Sequence, residues 1–248
     1  MFKKILASVG IGAAKVDTVL HTEHLLPGQD FSGEILIKGG DVEQDISGID
    51  LALMTKVKVE TEDDGVEYHN FCIDNWHISD SFKLQPGEER ALPFNATLPS
   101  ETPITELPTS NNKCVVWLQT GLNIDMAIDA SDKDSLYIYP NDVVKAFISA
   151  MDEFGYKMAK ADVEKGYLNA GSFNSNSGCY QELEYRPGGF TLFGIKEVEL
   201  SFVPEQHQTH VLIELDRAFS GDGYKAMTIP HHPDEVAAVE SRLRDLLG

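Results

Sequence analysis

Three short segments each carry a pair of acids two residues apart: Glu182 and Glu184, Glu197 and Glu199, and Glu214 and Asp216. Residues i and i+2 of a strand share a face, so each pair projects to one side. The residues beside them, Leu183, Tyr185, Val198, Leu200, Ile213 and Leu215, are apolar and define the opposite, core-facing side. With the three strands neighbours in register, the six carboxylates form one stripe. A run of charge on a strand is ordinarily a solvated face. Like charges directly opposite on adjacent strands also repel, and a basic partner relieves that repulsion. These six acids are the candidate binding residues, and their chemistry is the capture of positive charge.

Other reactive residue types give weaker patterns. His21 and His24, like His207 and His210, are three apart in strand-like sequence, which puts them on opposite faces rather than in a chelating pair. His231 and His232 lie in Pro230-His-His-Pro233, which has the PxxP spacing read by SH3-like domains but is more simply the start of a helix. Asp129-Ala-Ser-Asp-Lys-Asp134 is acid-rich, yet a calcium loop needs Gly at its sixth position and Glu at its twelfth, where this chain has Asp134 and Pro140. A hydrated turn is the expectation there. There is no GxSxG elbow, and neither Gly188-Gly189 nor Gly10-Ile-Gly12 belongs to a phosphate-cradling loop. No catalytic residue, metal ligand or cofactor is expected. An enzyme assembled from sequence-remote residues, a hydrolase or a metal-dependent one, is the alternative reading.

The elements that position the acids are strands. Gly48–Val59 alternates, with Ile49, Leu51, Leu53, Val57 and Val59 on one face and Asp50, Lys56 and Lys58 on the other, the pattern of a half-buried strand. Asp63-Asp64-Gly65 turns the chain back into Val66–Ile78. Val116, Leu118, Leu122, Ile124 and Met126 repeat the alternation. The period changes after Pro140. Val143, Val144, Phe147, Ile148, Met151 and Phe154 share one helical face, with Asn141 or Asp142 as N-cap and Gly155 as stop. Strands resume at about 156–163, 180–185, 197–202 and 209–215. A last helix is expected from Pro233 to Leu247, with Val236, Val239, Leu243 and Leu246 inward. The fold class is mainly β: a β-sandwich over residues 1–140, then a β-rich domain over 141–248 with a helix at its start and another at its C-terminus.

The composition narrows the partners. With 42% hydrophobic and 24% charged residues the chain is globular in composition, and 40 acids against 20 bases give a net charge of −20. Such a surface repels phosphate backbones and anionic lipid, so the expected partner is protein, with basic character, and neither nucleic acid nor membrane insertion is expected. Cys72, Cys114 and Cys179 are odd in number and far apart, which suits reduced thiols in a cytoplasm better than a disulfide framework. Met1-Phe-Lys-Lys and the apolar residues after it superficially resemble a secretory signal, but the stretch is short and diluted by Ser8, Gly10 and Gly12. Cytoplasmic localisation is expected. The Phe2–Gly12 segment is itself a candidate for strand addition, within its own sandwich or to another copy, so self-association through strand edges is a further expectation.

Several stretches resemble the sporulation-control (SpoOM) family. They are Phe2–Thr18, Leu26-Pro-Gly-Gln-Asp-Phe-Ser-Gly33, Ile37-Lys-Gly-Gly40 with Val42-Glu-Gln44, and Phe94-Asn-Ala-Thr-Leu-Pro99 with Pro103. Val116-Trp-Leu118 ahead of Asp125 and Asp129, Gln181–Glu184 and Lys196–Glu199 extend the resemblance along nearly the whole chain. It implies an arrestin-like N-terminal sandwich and a regulatory, non-catalytic protein affecting sporulation or cell-cycle events in bacteria, acting as an adaptor between proteins. An adaptor role drawn from fold alone is an analogy.

Overall fold

The computed structural model describes residues 13–22, 24–61, 65–124, 130–189, 194–218 and 223–247. The proposed strand-adding segment Phe2–Gly12, Asp63 and Asp64 of the turn, and Asp125, Met126 and Asp129 lie outside the described residues. In chain order the strands before the first helix are β1 (Lys15–Leu20), β2 (Asp30–Lys38), β3 (Gln44–Glu60), β4 (Val66–Ser79), β5 (Phe82–Leu84), β6 (Glu89–Thr97), β7 (Val116–Ile124) and β8 (Ala130–Leu136). Helix α1 (Asp142–Glu153) follows, then β9 (Tyr156–Lys165), β10 (Cys179–Pro187), β11 (Ile195–Pro204), β12 (Gln208–Arg217) and β13 (Gly223–Pro230). Helices α2 (Pro233–Ala237) and α3 (Val239–Leu247) close the chain.

Strand β3 organises the molecule. Its alternation buries Ile49, Leu51, Leu53 and Val57, and Thr55, on the same face, satisfies its hydroxyl by donating to the Val115 carbonyl at 2.9 Å. Seventeen residues of strand span about 56 Å. That length lets one edge of β3 pair with β7 over Ile46–Thr55 and then, in parallel, meet β9 at Lys58↔Glu164. The other edge carries β4 and β5. The result is a ten-stranded sheet, β13-β12-β11-β10-β9-β3-β7-β8 with β4 and β5 branching from β3, opposite a three-stranded sheet β1-β2-β6. One hydrophobic cluster lies between the two sheets and includes Phe31, Ile35, Leu53 and Leu118. A second, built around Phe147, Leu183, Leu200, Ile213 and Leu243, takes Val57 and Cys114 from the first half. Residue 140 falls between the clusters, but the large sheet runs past it.

The helices cover one face of β9–β13. Asn141 caps α1 by accepting the Val144 N–H at 2.9 Å, and Gly155, at φ +79°, ends it in the left-handed region. Val143, Val144, Phe147, Ala150 and Met151 are buried, Ala150 taking a core position that Ile148 was expected to fill. The last helix is two rather than one, breaking at Ala238. Its start is anchored to the sheet end, because the His231 N–H donates to the His207 carbonyl at 2.8 Å and the His231 ring meets the Thr209 hydroxyl at 2.9 Å. The chain turns at Ala238 so that Val239, Leu243 and Leu247 seat on the core. Pro233 occupies the first turn of α2, so Pro-His-His-Pro is here a helix start.

Two further expectations are corrected. The acid-rich stretch before Leu136 is strand β8, not a turn. Asp132 and Asp134 point to the inner side at the rim of the sandwich, where an Asp132 oxygen accepts the Thr18 N–H of β1 at 2.9 Å. Crowding has a cost there: burial, then Asp132 and Asp17, push the Asp134 carboxyl up to about 7. Strand β13 was not expected at all, because Ile229 is its one buried residue and no apolar alternation marks it.

The Leu26–Gly33 stretch has a steric reason for its last residue. A Cβ at Gly33 would stand 2.5 Å from the Val19 carbonyl oxygen and 2.8 Å from the Phe94 ring, both in neighbouring strands. Gly33→Ala should destabilise the fold by about 1–3 kcal/mol in urea denaturation. Gly121→Ala, where the nearest atom is 3.9 Å away, should cost far less. Equal costs would contradict this packing account.

Candidate functional site

The register brings the predicted acids together. Glu184 lies directly opposite Glu199, Glu199 opposite Glu214, and Glu197 opposite Asp216 across the antiparallel neighbours β10, β11 and β12. The row through Glu184, Glu199 and Glu214 continues to Lys160 on β9 at one end and Tyr224 on β13 at the other, so it crosses five strands. Glu182 lies opposite Asp162 on one side and Ser201 on the other. Behind the row, Leu183, Tyr185, Val198, Leu200, Ile213 and Leu215 are buried under the helices, as their alternation requires.

The stripe is neither uniformly solvated nor uniformly charged. All six acids are half-buried. Arg186 donates to Glu197 at 2.9 Å and reaches Glu184 at 2.8 Å, and Lys196 approaches Asp216 at 3.6 Å. Glu184, Glu197 and Asp216 thus have cations from their own chain. Among the described residues, no ion pair reaches Glu182, Glu199 or Glu214; the Tyr224 hydroxyl donates to Glu214 at 2.7 Å. Burial, reinforced by Glu199 and Glu164, pushes the Glu182 carboxyl up to about 8. Burial, then Glu214 and Glu197, push Glu199 up to about 7. The Glu184 carboxyl is raised as well, by burial and by Glu197. Near neutral pH this face therefore holds carboxyls that retain protons because they are partly buried beside other carboxylates.

Over the unpaired half sits a small pocket of about 230 Å³. Glu182, Glu199 and Glu214 line it together with Tyr167, Tyr180 and Tyr224. Tyr167 and Tyr224 are 68% and 65% exposed, so core packing does not account for them. Tyr167 comes from the 166–178 loop, whose Leu168 and Phe173 pack on Val203. Glu101, from the first half of the chain, fixes that loop by accepting the Asn176 and Ser177 N–H groups, each at 3.0 Å. Gln181 ties the 99–108 segment to β10, accepting from the Ile104 N–H at 3.0 Å and donating to its carbonyl at 2.7 Å. The tyrosines are residues that strand periodicity did not single out; for Tyr224 the signal lies in the pairing of β12 with β13.

Strand β9 adds acids that the sequence pattern left out. Glu164 pairs with Lys58 at 2.8 Å, both largely buried at the junction with β3. Asp162, 3% exposed, accepts from the Tyr68 hydroxyl at 2.9 Å and pairs with Lys160. Glu184, Glu197 and Glu199 converge so that one oxygen from each lies within 4.8 Å of the others, close enough to approach a single cation. Arg186 already supplies positive charge to two of the three. Thiol chemistry has little footing: burial raises Cys114 to about 12 and Cys179 to about 11. No helix among the described residues is long and apolar enough to cross a membrane.

Known proteins agree with this architecture. A sequence model of the family described as "SpoOM protein" matches residues 2–219. The sporulation-control protein spo0M of Bacillus subtilis (strain 168) is 35% identical over 222 residues, covering 89% of this chain and 82% of that one. The crystal structure of Spo0M, sporulation control protein, from Bacillus subtilis aligns with a TM-score of 0.84 at 29% identity, over 96% of this chain and 98% of that one.

The raised carboxyls make stability fall with pH. The ordinary Glu value is 4.5 and the folded Glu182 value is about 8. Across that window the folded state holds a proton that the unfolded chain has lost, so folding weakens as pH rises. Glu182→Gln should leave stability nearly unchanged at pH 4.5 and raise it by more than about 1 kcal/mol at pH 8.5. Thermal melts of both proteins across that range check the prediction. A constant difference between the two would contradict a raised Glu182.

Proposed function

The chain belongs to the SpoOM family of sporulation-control proteins, and we propose that it is a non-catalytic cytoplasmic regulator of sporulation that works by docking a basic protein segment on the acidic face of β10–β12. The observation that carries this reading is the in-register row Glu184, Glu199 and Glu214, with Glu182 beside it; among the described residues no ion pair reaches three of these four, Glu182, Glu199 and Glu214. A lysine or arginine side chain entering the pocket would meet carboxylates beneath and aromatic rings beside it, the two groups that best stabilise an organic cation in a partly desolvated site. The pocket is smaller than the roughly 300 Å³ at which drug-sized sites begin, so its size suits one side chain. The chain's net charge of −20 favours encounter with a basic protein and opposes nucleic acid and anionic lipid. Against the enzyme alternative stand the buried, raised thiols of Cys114 and Cys179 and a carboxylate cluster, Glu184, Glu197 and Glu199, in which Arg186 already pairs with two of the three.

Cation capture has a sign that can be checked alongside function. An arriving cation favours the ionised form of Glu182 and Glu199, so docking should release protons and tighten as pH rises from 6 to about 8. The functional test is replacement of the relative's gene in Bacillus subtilis by this one. The wild-type chain should restore sporulation control, and a chain carrying Glu182→Lys, Glu184→Lys and Glu199→Lys at equal abundance should not. Restoration by both would exclude the acidic face, and restoration by neither would exclude the sporulation role.

A further inference from the structure

A second surface lies on the opposite side of the same sheet, among the helices. Between α1 and the α2–α3 pair is a cleft of about 660 Å³, floored by Val143, Ala146 and Ala150 of α1 and by Pro233, Val236 and Ala237 of α2. The break at Ala238 produces it. Helix α3 seats Val239, Leu243 and Leu247 on the core, whereas the five residues of α2 bury none of their side chains. Val236 and Ala146 are left half-buried at the edge of an otherwise closed cluster.

The rim decides what fits. Asp142, Glu153 and Glu240 line the cleft, and no lysine or arginine does. Asp142 and Glu240 are met from outside by Lys145 and Arg244, in exposed pairs of little strength. Glu153 forms no ion pair among the described residues. Asp142 and Glu153 stand at opposite ends of α1, about 16 Å apart at 1.5 Å per residue. An apolar trough with acid at both ends and across the gap matches a three-turn helix with an apolar stripe and basic flanks, and is longer than a compact ligand requires. We infer that this cleft is a docking groove for a basic amphipathic helix of a partner protein, received on α1 and α2 as a third helix.

The probe is a fluorescein-labelled 14-residue peptide with leucines at i, i+3, i+4 and i+7 and lysines elsewhere, titrated against the full-length chain by anisotropy. Binding should protect α1 and α2 amides from hydrogen exchange. It should weaken about tenfold or more when the trough is filled by Ala146→Trp, and likewise by Val236→Trp from the other wall. Glu153→Lys, on the exposed rim, should also weaken it, and circular dichroism confirms that each variant folds. Replacing the peptide lysines by glutamates should abolish binding. Equal affinity for a scrambled peptide of the same composition would reduce the effect to general attraction by an acidic chain and overturn the inference. So would an unchanged affinity in both tryptophan variants, protection confined to β10–β12, or no binding of the basic peptide.

Discussion

Side chains on a strand alternate with a period of two, and that constraint fixes the chemistry of this molecule. Leu183 and Tyr185, Val198 and Leu200, and Ile213 and Leu215 must all face the helices, because the second hydrophobic cluster closes only when they do. A one-residue slip between any two of β10, β11 and β12 would bury acids against Phe147 and Leu243. The register is therefore pinned from the apolar side, and the other side has no freedom to avoid its own charge. Glu184, Glu199 and Glu214 stand in line because the core puts them there.

The chain meets that crowding in two ways. At one end it brings cations, with Arg186 between Glu184 and Glu197 and Lys196 beside Asp216. At the other, burial and neighbouring carboxylates raise Glu182 and Glu199, and Lys58 offsets the effect on Glu182 only in part. The second arrangement stores an unfavourable interaction on the surface, and a partner's cation is the group that relieves it. The same sheet is joined to the sandwich through β3, whose Lys58 and Val57 reach β9 and the second core, and through Glu101 and Gln181 contacts. The acidic face is thus mounted on the whole fold rather than on a detached domain.

The alternation of Ile49–Val59 and of the three acid-bearing strands was legible in the sequence because each strand has one apolar and one polar face. Once consecutive hairpins were assumed, the six acids followed. What escaped has physical reasons. Strand β13 is an edge strand with one buried residue, so it has no alternation to read, and Tyr224 was lost with it. Tyr167 reaches the site from a loop that is positioned by Glu101, far away in sequence. Asp162 and Glu164 sit in a strand that was expected, but their partners Tyr68 and Lys58 belong to the other half of the chain. Asp132 and Asp134, which point inward, look like turn residues until β1 is placed beside them and its Thr18 N–H donates to Asp132. Local propensity does not record the helix break at Ala238 either, which lies between a start anchored at the sheet end and a second helix seated on the core.

A cation-capturing face depends on acids that are partly buried and held close together. Carbon-13 titration of the glutamate side-chain carboxyls, assigned by Glu182→Gln and Glu199→Gln, observes that directly in the intact chain. Two resonances should titrate near pH 7–8 and assign to these residues, well above the ordinary glutamate value of 4.5. If both instead titrate with the exposed glutamates near 4.5, the face is merely solvated and the basis for a cation-capturing surface is gone.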